Sequence, residues 1–387
     1  MLFEAAMNIL FITRGFPSET DPMLGNYEAV QAKALASKGH RVSVLAIQWK
    51  SFRYLFKSNA VAHRVVEGVD VYTFENIRTI IPQVYWPKFE LWWRRFCFKS
   101  IIKKYFKISG RPDIVHAHIV EYASLSISAK QKYHLPFVIT EHWSKFLAED
   151  ISSAISIQSR VYRLADQVIC VSTALADSLK KRFNVDSVVI NNMVSDMFFK
   201  TRKMSREDGK FKFIAVGALR KDKCFDALID AFAQCDFPSQ VSLSIVGGGT
   251  ERQLLEHKIK GYGLENQVEL LGVKTPEEVS GLLCQSDCYV LSSRLETFAI
   301  VVIEAMAKGL PVIATKCGGP ESFVRPEDGL LIPKDDSAEL SKAMRYMLEH
   351  YKDYDAEEIR RYCYDSFSQD VIADKIIEVY NKVLNKS

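Results

Sequence analysis

Short apolar runs alternate with segments of helical period almost from end to end of the chain. Asn8–Thr13, Arg41–Ile47, Val69–Phe74, Ile114–Ala117, Phe137–Thr140, Gln167–Val171 and Ser187–Ile190 read as strands. Amphipathic patterns such as Glu28–Ser37, Tyr122–Lys132 and Thr173–Arg182 lie between many of them. A highly charged stretch, Lys200–Lys212, interrupts the pattern, which then restarts. Strands are expected at Phe213–Val216, Val241–Val246, Gln267–Leu271, Cys288–Leu291 and Pro311–Ala314, and helices at Cys224–Ala233, Glu251–Lys260, Pro276–Cys284 and Val301–Lys308. From Ser337 to Leu384 the pattern is mostly helical. Such alternation predicts an α/β protein with parallel sheets covered on both faces. The restart predicts two Rossmann-like domains, 1–198 and 213–370, joined by a linker at 199–212. A last helix at 371–387 is expected to pack back on the N-terminal domain. Ligands are expected in a cleft between the domains, at the carboxyl ends of the strands.

At 387 residues, 48% hydrophobic and 25% charged, the chain suits two packed domains and not a disordered segment. No apolar run approaches the roughly 18 residues of a membrane span. The first ten residues carry Glu4 and lack a basic region, which argues against a secretory signal. Eight scattered cysteines without a CxxC fit reduced, structural thiols in a cytoplasmic protein. The net charge of +4 conceals an asymmetry: residues 1–195 sum to +9 and the remainder to −5. Either one domain faces an anionic partner, or the asymmetry reflects chance and solvated helix faces.

Several chemistries are excluded. There is no Walker GxxxxGK[ST]. The turn Gly247-Gly248-Gly249 follows a strand, but Arg252 stands where a dinucleotide fingerprint needs its third glycine. Asp353-Tyr354-Asp355 is the one Asp-x-Asp, and it falls in the helical C-terminal region. No metal site and no cofactor are expected.

The informative stretch is Ser292-Ser293-Arg294-Leu295-Glu296-Thr297-Phe298-Ala299-Ile300-Val301-Val302-Ile303-Glu304-Ala305. A strand ends at Leu291, a short loop carries Glu296, and a helix carries Glu304. Near Ile300 the helix N-terminus presents N–H groups that suit a diphosphate. A loop carboxylate can accept from sugar hydroxyls, and one a turn into the helix can take a pair of ribose hydroxyls. Glu304 sits within the apolar run Phe298–Met306, where an unpaired carboxylate is costly, and this favours a functional role.

Here the chain resembles the retaining GT-B glycosyltransferases of family 4, whose hallmark is E-x7-E in this context. The stretch Glu304–Thr315 followed by Gly318-Gly319-Pro320-Glu321 matches closely, as do Val189–Val194 and Pro112–His118. The resemblance implies two Rossmann-like domains facing each other across a cleft, an N-terminal acceptor domain and a C-terminal nucleotide-sugar domain. It implies that Glu296 contacts donor sugar hydroxyls, Glu304 holds the ribose, and the backbone at Phe298, Ala299 and Ile300 receives the diphosphate. Lys223, in Val216-Gly217-Ala218-Leu219-Arg220-Lys221-Asp222-Lys223, neutralises the leaving group, with Gly217 and Arg220 also in the donor site. His118 reaches the reacting sugar, Gly25 lets the backbone approach the donor, and Val273 lies by the nucleobase. His116 is expected to be structural, and His142 stands between a supporting and a structural role. Three positions depart from the family: Ala218 replaces an arginine, Cys224 a glycine and Ala299 a glycine.

Aromatics and bases interleave from Trp86 to Lys107, including Trp92, Trp93, Arg94, Arg95, Lys103 and Lys104, and again over Trp49–Lys57. This composition suits a helix lying on anionic lipid. Core packing of the aromatics explains part of it, and no nucleic-acid fold signature accompanies it. The expected activity is transfer from a UDP- or GDP-sugar to a saccharide or lipid-linked acceptor, in cell-surface polysaccharide synthesis, by a protein peripheral on the cytoplasmic face of the membrane. A nucleotide-sugar epimerase of the same fold and a non-catalytic nucleotide-sugar-binding protein are the alternatives.

Overall fold

The computed structural model describes residues 6–19, 21, 24–50, 61–77, 87–147, 155–201 and 209–386. The middle of the charged linker segment, 202–208, and the aromatic stretch 51–57 lie outside the described residues. The chain divides into two units. One comprises residues 1–171, 176–190 and 372–387, and the other residues 172–175 and 191–371.

The first unit runs β1 (Asn8–Thr13), α1 (Asn26–Ser37), β2 (Arg41–Lys50), β3 (Val61–Val66), β4 (Val69–Ile77), α2 (Pro87–Ser109), β5 (Ile114–His118), α3 (Val120–Tyr133), β6 (Phe137–Glu141), α4 (Ile155–Leu164), β7 (Gln167–Cys170), α5 (Thr173–Phe183) and β8 (Val188–Val189). Its sheet has the order β3-β4-β2-β1-β5-β6-β7-β8, parallel throughout except for β3. β5 and β6 are buried at every position, as strands covered on both faces must be. β3 went unpredicted because His63 and Arg64 break its apolar run. It is an edge strand with residues 62–65 exposed, so no buried face imposes an alternation.

The second unit runs α6 (Met197–Lys200), β9 (Phe211–Val216), α7 (Phe225–Cys235), β10 (Val241–Val246), α8 (Arg252–Gly261), β11 (Val268–Gly272), α9 (Pro276–Cys284), β12 (Cys288–Leu291), α10 (Ile300–Met306), β13 (Val312–Thr315), β14 (Gly329–Ile332), α11 (Ser337–His350) and α12 (Ala356–Phe367). Its sheet is fully parallel, in the order β11-β10-β9-β12-β13-β14. In α7, Phe225, Leu228, Ile229 and Phe232 recur at helical spacing and are all buried in one core with Leu243, Ile245 and Met344. α9 begins where a capping box puts it: Thr275 accepts from the Glu278 N–H, Glu278 accepts from the Thr275 N–H, and Pro276 takes the first helical position. α10 stops at Met306, short of the expected Lys308. The backbone then turns to Gly309 at φ +78, where a Cβ would lie 2.6 Å from the Ala356 carbonyl oxygen.

The last helix, α13 (Gln369–Leu384), supplies Ile372 to Leu384 to the first unit. Its Tyr380 is fully buried and bonds His116 on β5. Each sheet reverses its winding beside its first strand: β1 lies between β2 and β5, and β9 lies between β10 and β12. At such a reversal the loops leaving neighbouring strands diverge and open a crevice at their carboxyl ends. In the second unit these are the loops after β9 and β12, and in the first those after β1 and β5.

Candidate active site

In the second unit, the loop after β9 is held by backbone bonds. The Gly217 N–H donates to the Val246 carbonyl, Leu219 N–H to Gly248, and Glu251 N–H to Leu219. The glycine turn after β10 makes this possible. A Cβ on Gly247 would stand 1.8 Å from the Gly217 oxygen, and one on Gly249 would stand 2.4 Å from the Leu219 oxygen. The triplet that fails as a dinucleotide fingerprint thus supports the loop that presents Lys223.

Lys223 closes a short 3-10 turn at Lys221–Lys223, and its Nζ lies 2.5 Å from Oε1 of Glu296, on the loop after β12. Ser293 donates to the same carboxylate oxygen at 2.8 Å, and Ser292 donates to the Lys223 carbonyl at 2.8 Å. Thr315 at the end of β13 donates to the Ser293 carbonyl at 2.5 Å. The Glu296 N–H donates to the Cys317 carbonyl. The loops after β9, β12 and β13 therefore converge on one largely buried ion pair. Arg220, which stands near the position of the replaced arginine, is held by Asp222 through its Nε at 2.9 Å and Nη2 at 2.5 Å.

Beyond Glu296 the chain passes through buried Phe298 to Ala299, at φ +70 and ψ +65, which starts α10 with no side-chain cap. Gly319 presses against this backbone: a Cβ there would lie 2.6 Å from the Phe298 carbonyl carbon. Ile300 opens the helix, and Glu304 follows one turn in, partly exposed. The protein around the Glu304 carboxyl pushes its pKa up to about 7, against the attraction of Lys308. Lys308 is itself buried and donates to Thr201 at Oγ1 (2.7 Å) and at the carbonyl (3.2 Å). Val273, just past β11, is 74% exposed beside Gly248. Asp355 caps α12 and Asp353 bonds His350, so this Asp-x-Asp pair is engaged in local structure.

Two of the departures from the family share a cause of strain. Cys224 stands at φ +52 and Ala299 at φ +70, both in the left-handed region that glycine occupies without penalty.

In the first unit, Gly25 caps α1 at φ +72, and a Cβ there would meet the Gly15 carbonyl oxygen at 2.2 Å. The close approach that demands glycine is thus to the chain's own loop after β1. His118 ends β5, buried. Its Nδ1 lies 3.2 Å from His142 Nε2, and its Nε2 meets no hydrogen-bond partner among the described residues. His116 is satisfied at both nitrogens, by Tyr380 at 2.6 Å and Thr140 at 2.7 Å, and so is structural. The three imidazoles stack in sequence, with centroids 4.5 Å and 5.5 Å apart. Burial drives His116 down to about 3, His142 to about 4 and His118 well below the ordinary value, so all three are neutral at neutral pH.

On α2 the buried stripe is Phe98, Ile101, Ile102, Tyr105 and Ser109. The opposite face exposes Trp92 and Phe96, stacked at 5.9 Å, and then Lys99, Lys103, Lys104 and Lys107. Arg95 is half-buried, and the side chains of Trp93 and Arg94 lie outside the described residues. Among the described residues no helix is long and apolar enough to cross a membrane. Sequence reasoning missed Ser293, Thr315 and Lys308 around the carboxylates. It also missed Tyr380 beneath the histidines.

Residues 26–196 match Glycosyltransferase Family 4, and residues 197–366 match Glycosyl transferases group 1. The chain belongs to this glycosyltransferase family. An uncharacterised glycosyltransferase of Methanocaldococcus jannaschii is 26% identical over 97% of this chain and 98% of its own length. The gpi3 subunit of a phosphatidylinositol N-acetylglucosaminyltransferase of Schizosaccharomyces pombe is 26% identical over 92% of this chain and 76% of its own. The structure of Anabaena HepE in complex with UDP-glucose superimposes with a TM-score of 0.71 at 22% identity, covering 97% of this chain and all of that one. This glycosyltransferase has the GT-B fold, with two parallel-sheet α/β domains.

Proposed function

We propose that this glycosyltransferase moves a sugar from a UDP- or GDP-sugar to a lipid-linked saccharide with retention of configuration, while resting on an anionic membrane surface. The observation that carries the donor half is the Lys223–Glu296 pair on adjoining loops at the winding reversal of the second unit. In this reading the ribose hydroxyls bond Glu304, the diphosphate takes the backbone N–H groups at Phe298, Ala299 and Ile300, and the sugar hydroxyls bond Glu296. The bond from the anomeric carbon to the diphosphate oxygen breaks through an oxocarbenium-like transition state. Lys223 offsets the charge gathering on the departing diphosphate, which is the largest catalytic contribution in this scheme. The acceptor hydroxyl forms the new glycosidic bond on the same face, and its proton passes to the leaving diphosphate. His118, neutral and with one nitrogen unpartnered, suits a hydrogen bond to an uncharged sugar hydroxyl.

The exposed face of α2 supports the membrane half. Trp92 and Phe96 at one end suit the acyl boundary, and four lysines suit anionic headgroups. A relative named for a phosphatidylinositol acceptor agrees with an acceptor held in lipid.

A thermal-shift screen against UDP-, GDP- and ADP-sugars, with Glu304→Ala beside the natural protein, tests the donor assignment. Binding to the folded state raises the melting point by mass action. A shift with one nucleotide class, lost in the variant, is the expected result. No shift with any donor in the folded protein would overturn it.

A further inference from the structure

The carboxylate of Glu141 is fully buried at the end of β6 and accepts four hydrogen bonds. Its Oε2 takes the Val120 N–H at 3.0 Å and the Tyr162 hydroxyl at 2.8 Å. Its Oε1 takes the N–H groups of His142 and Trp143, each at 2.9 Å. These donors belong to three separate places: the first residue of α3 just after β5, the turn after β6, and α4. The link from β5 to α3 is strained, because Ile119, a β-branched residue directly after His118, stands at φ +67. Such a conformation persists only where its surroundings over-determine it. Here Glu141 grips the next N–H in the chain, and the Ile119 N–H donates to the Thr140 carbonyl.

We propose that Glu141 is a positioning residue of the transfer site: it staples the turn after His118 to the turn carrying His142, and so fixes the direction in which the unpartnered Nε2 of His118 points. The proposal rests on the reading that places His118 at the reacting sugar. Two neutral imidazoles 3.2 Å apart need one donor and one acceptor, so a fixed geometry couples the tautomers of the two rings: when one carries its proton at the contact, the other carries its own on the far nitrogen. No glutamine can replace this carboxylate without loss. Whichever way its amide turns, an NH₂ group faces at least one backbone N–H that it cannot accept from.

The test uses the full chain labelled with ¹⁵N-histidine, with imidazole tautomers read from long-range ¹H–¹⁵N spectra and steady-state kinetics on a donor that the natural protein turns over. In Glu141→Gln the complementary tautomers of His118 and His142 are expected to uncouple, with their proportions shifted from those of the natural protein, and kcat is expected to fall at least tenfold with the donor KM changed less than twofold. Tyr162→Phe, which removes one of the four bonds, should lower kcat about threefold at constant KM, and it carries the test if Glu141→Gln does not fold. Natural tautomers or a natural kcat in the folded Glu141→Gln protein would overturn the proposal, as would an unchanged kcat in Tyr162→Phe. If the natural protein turns over no donor, the transfer reading fails on its own, and the histidine spectra still decide whether the staple exists.

Discussion

The Nζ of Lys223 and the Oε1 of Glu296 stand 2.5 Å apart, so each charge neutralises the other. In the proposed donor site a diphosphate sugar would share this pair: the phosphate would compete for the lysine while the sugar hydroxyls approached the carboxylate. The two residues should therefore fail differently. Lys223→Ala is expected to lower kcat on the order of 10²–10³-fold, the usual loss when a group facing developing negative charge is removed. Glu296→Gln leaves Lys223 without its counter-ion, so affinity for the bare nucleoside diphosphate should rise severalfold while sugar transfer collapses. Calorimetric titration with UDP and GDP beside steady-state rates separates the cases. Weaker diphosphate binding in Glu296→Gln would sink this account of the pair.

Strain at Cys224 and Ala299 gives a prediction about stability. A residue with a Cβ in the left-handed region costs about 1–2 kcal/mol relative to its ordinary conformation, and glycine does not. Glycine loses about 0.5–1 kcal/mol of that gain through its more flexible unfolded chain. Cys224→Gly and Ala299→Gly should each raise unfolding stability by about 1 kcal/mol, seen as a higher urea midpoint at unchanged slope. A lower midpoint for Ala299→Gly would show that its methyl packs well enough to outweigh the backbone penalty.

Glu304 sets a pH dependence whose sign follows from its raised pKa of about 7. The carboxyl ionises near 4.5 in the unfolded chain and near 7 in the folded one, so the unfolded state releases its proton first. Folding is penalised progressively as pH rises from about 4.5 to about 7 and fully above that, by about 3 kcal/mol. Glu304→Gln should therefore be more stable than the natural protein at pH 8 and indistinguishable from it below pH 4. Nucleotide binding should run the other way. Affinity that depends on the ionised carboxylate improves roughly tenfold from pH 6 to pH 8, and it should be weak and flat in Glu304→Gln. Parallel denaturation and binding curves across this range check both signs.

The sequence told most where burial constrains it from both sides. β1, β12 and α9 begin and end where their apolar runs and caps do, because the buried interior of a strand covered on both faces leaves little room for a polar interruption. Glu304 stood out as a carboxylate in an apolar run, and Glu296 through its E-x7-E spacing to Glu304. Glu141 did not, since its partners are mostly backbone N–H groups, one of them 21 positions away, and a backbone N–H leaves no mark on residue type. Tyr380 was equally hidden: it meets His116 across 264 positions, through a helix whose apolar stripe looks like any other. Cys224 and Ala299 were visible as departures from glycine, but their cost became legible only with their φ angles.

In the proposed membrane reading, the face of α2 offers two separable contributions. Lys103 and Lys104 are exposed cations, each expected to contribute about 1 kcal/mol at an anionic surface and to be screened by salt. Trp92 and Phe96 are exposed rings whose burial in the acyl boundary is apolar and insensitive to salt. In co-sedimentation with phosphatidylserine-containing vesicles, Lys103→Glu combined with Lys104→Glu should cut binding by about 10²-fold at low salt and by much less at 0.5 M. Trp92→Ala combined with Phe96→Ala should weaken binding by a similar factor at both salt concentrations. Neutral phosphatidylcholine vesicles should bind the natural protein poorly. If neither pair of substitutions changes vesicle binding, α2 is not the surface that meets the lipid, and the basic charge of the N-terminal half serves another anionic partner.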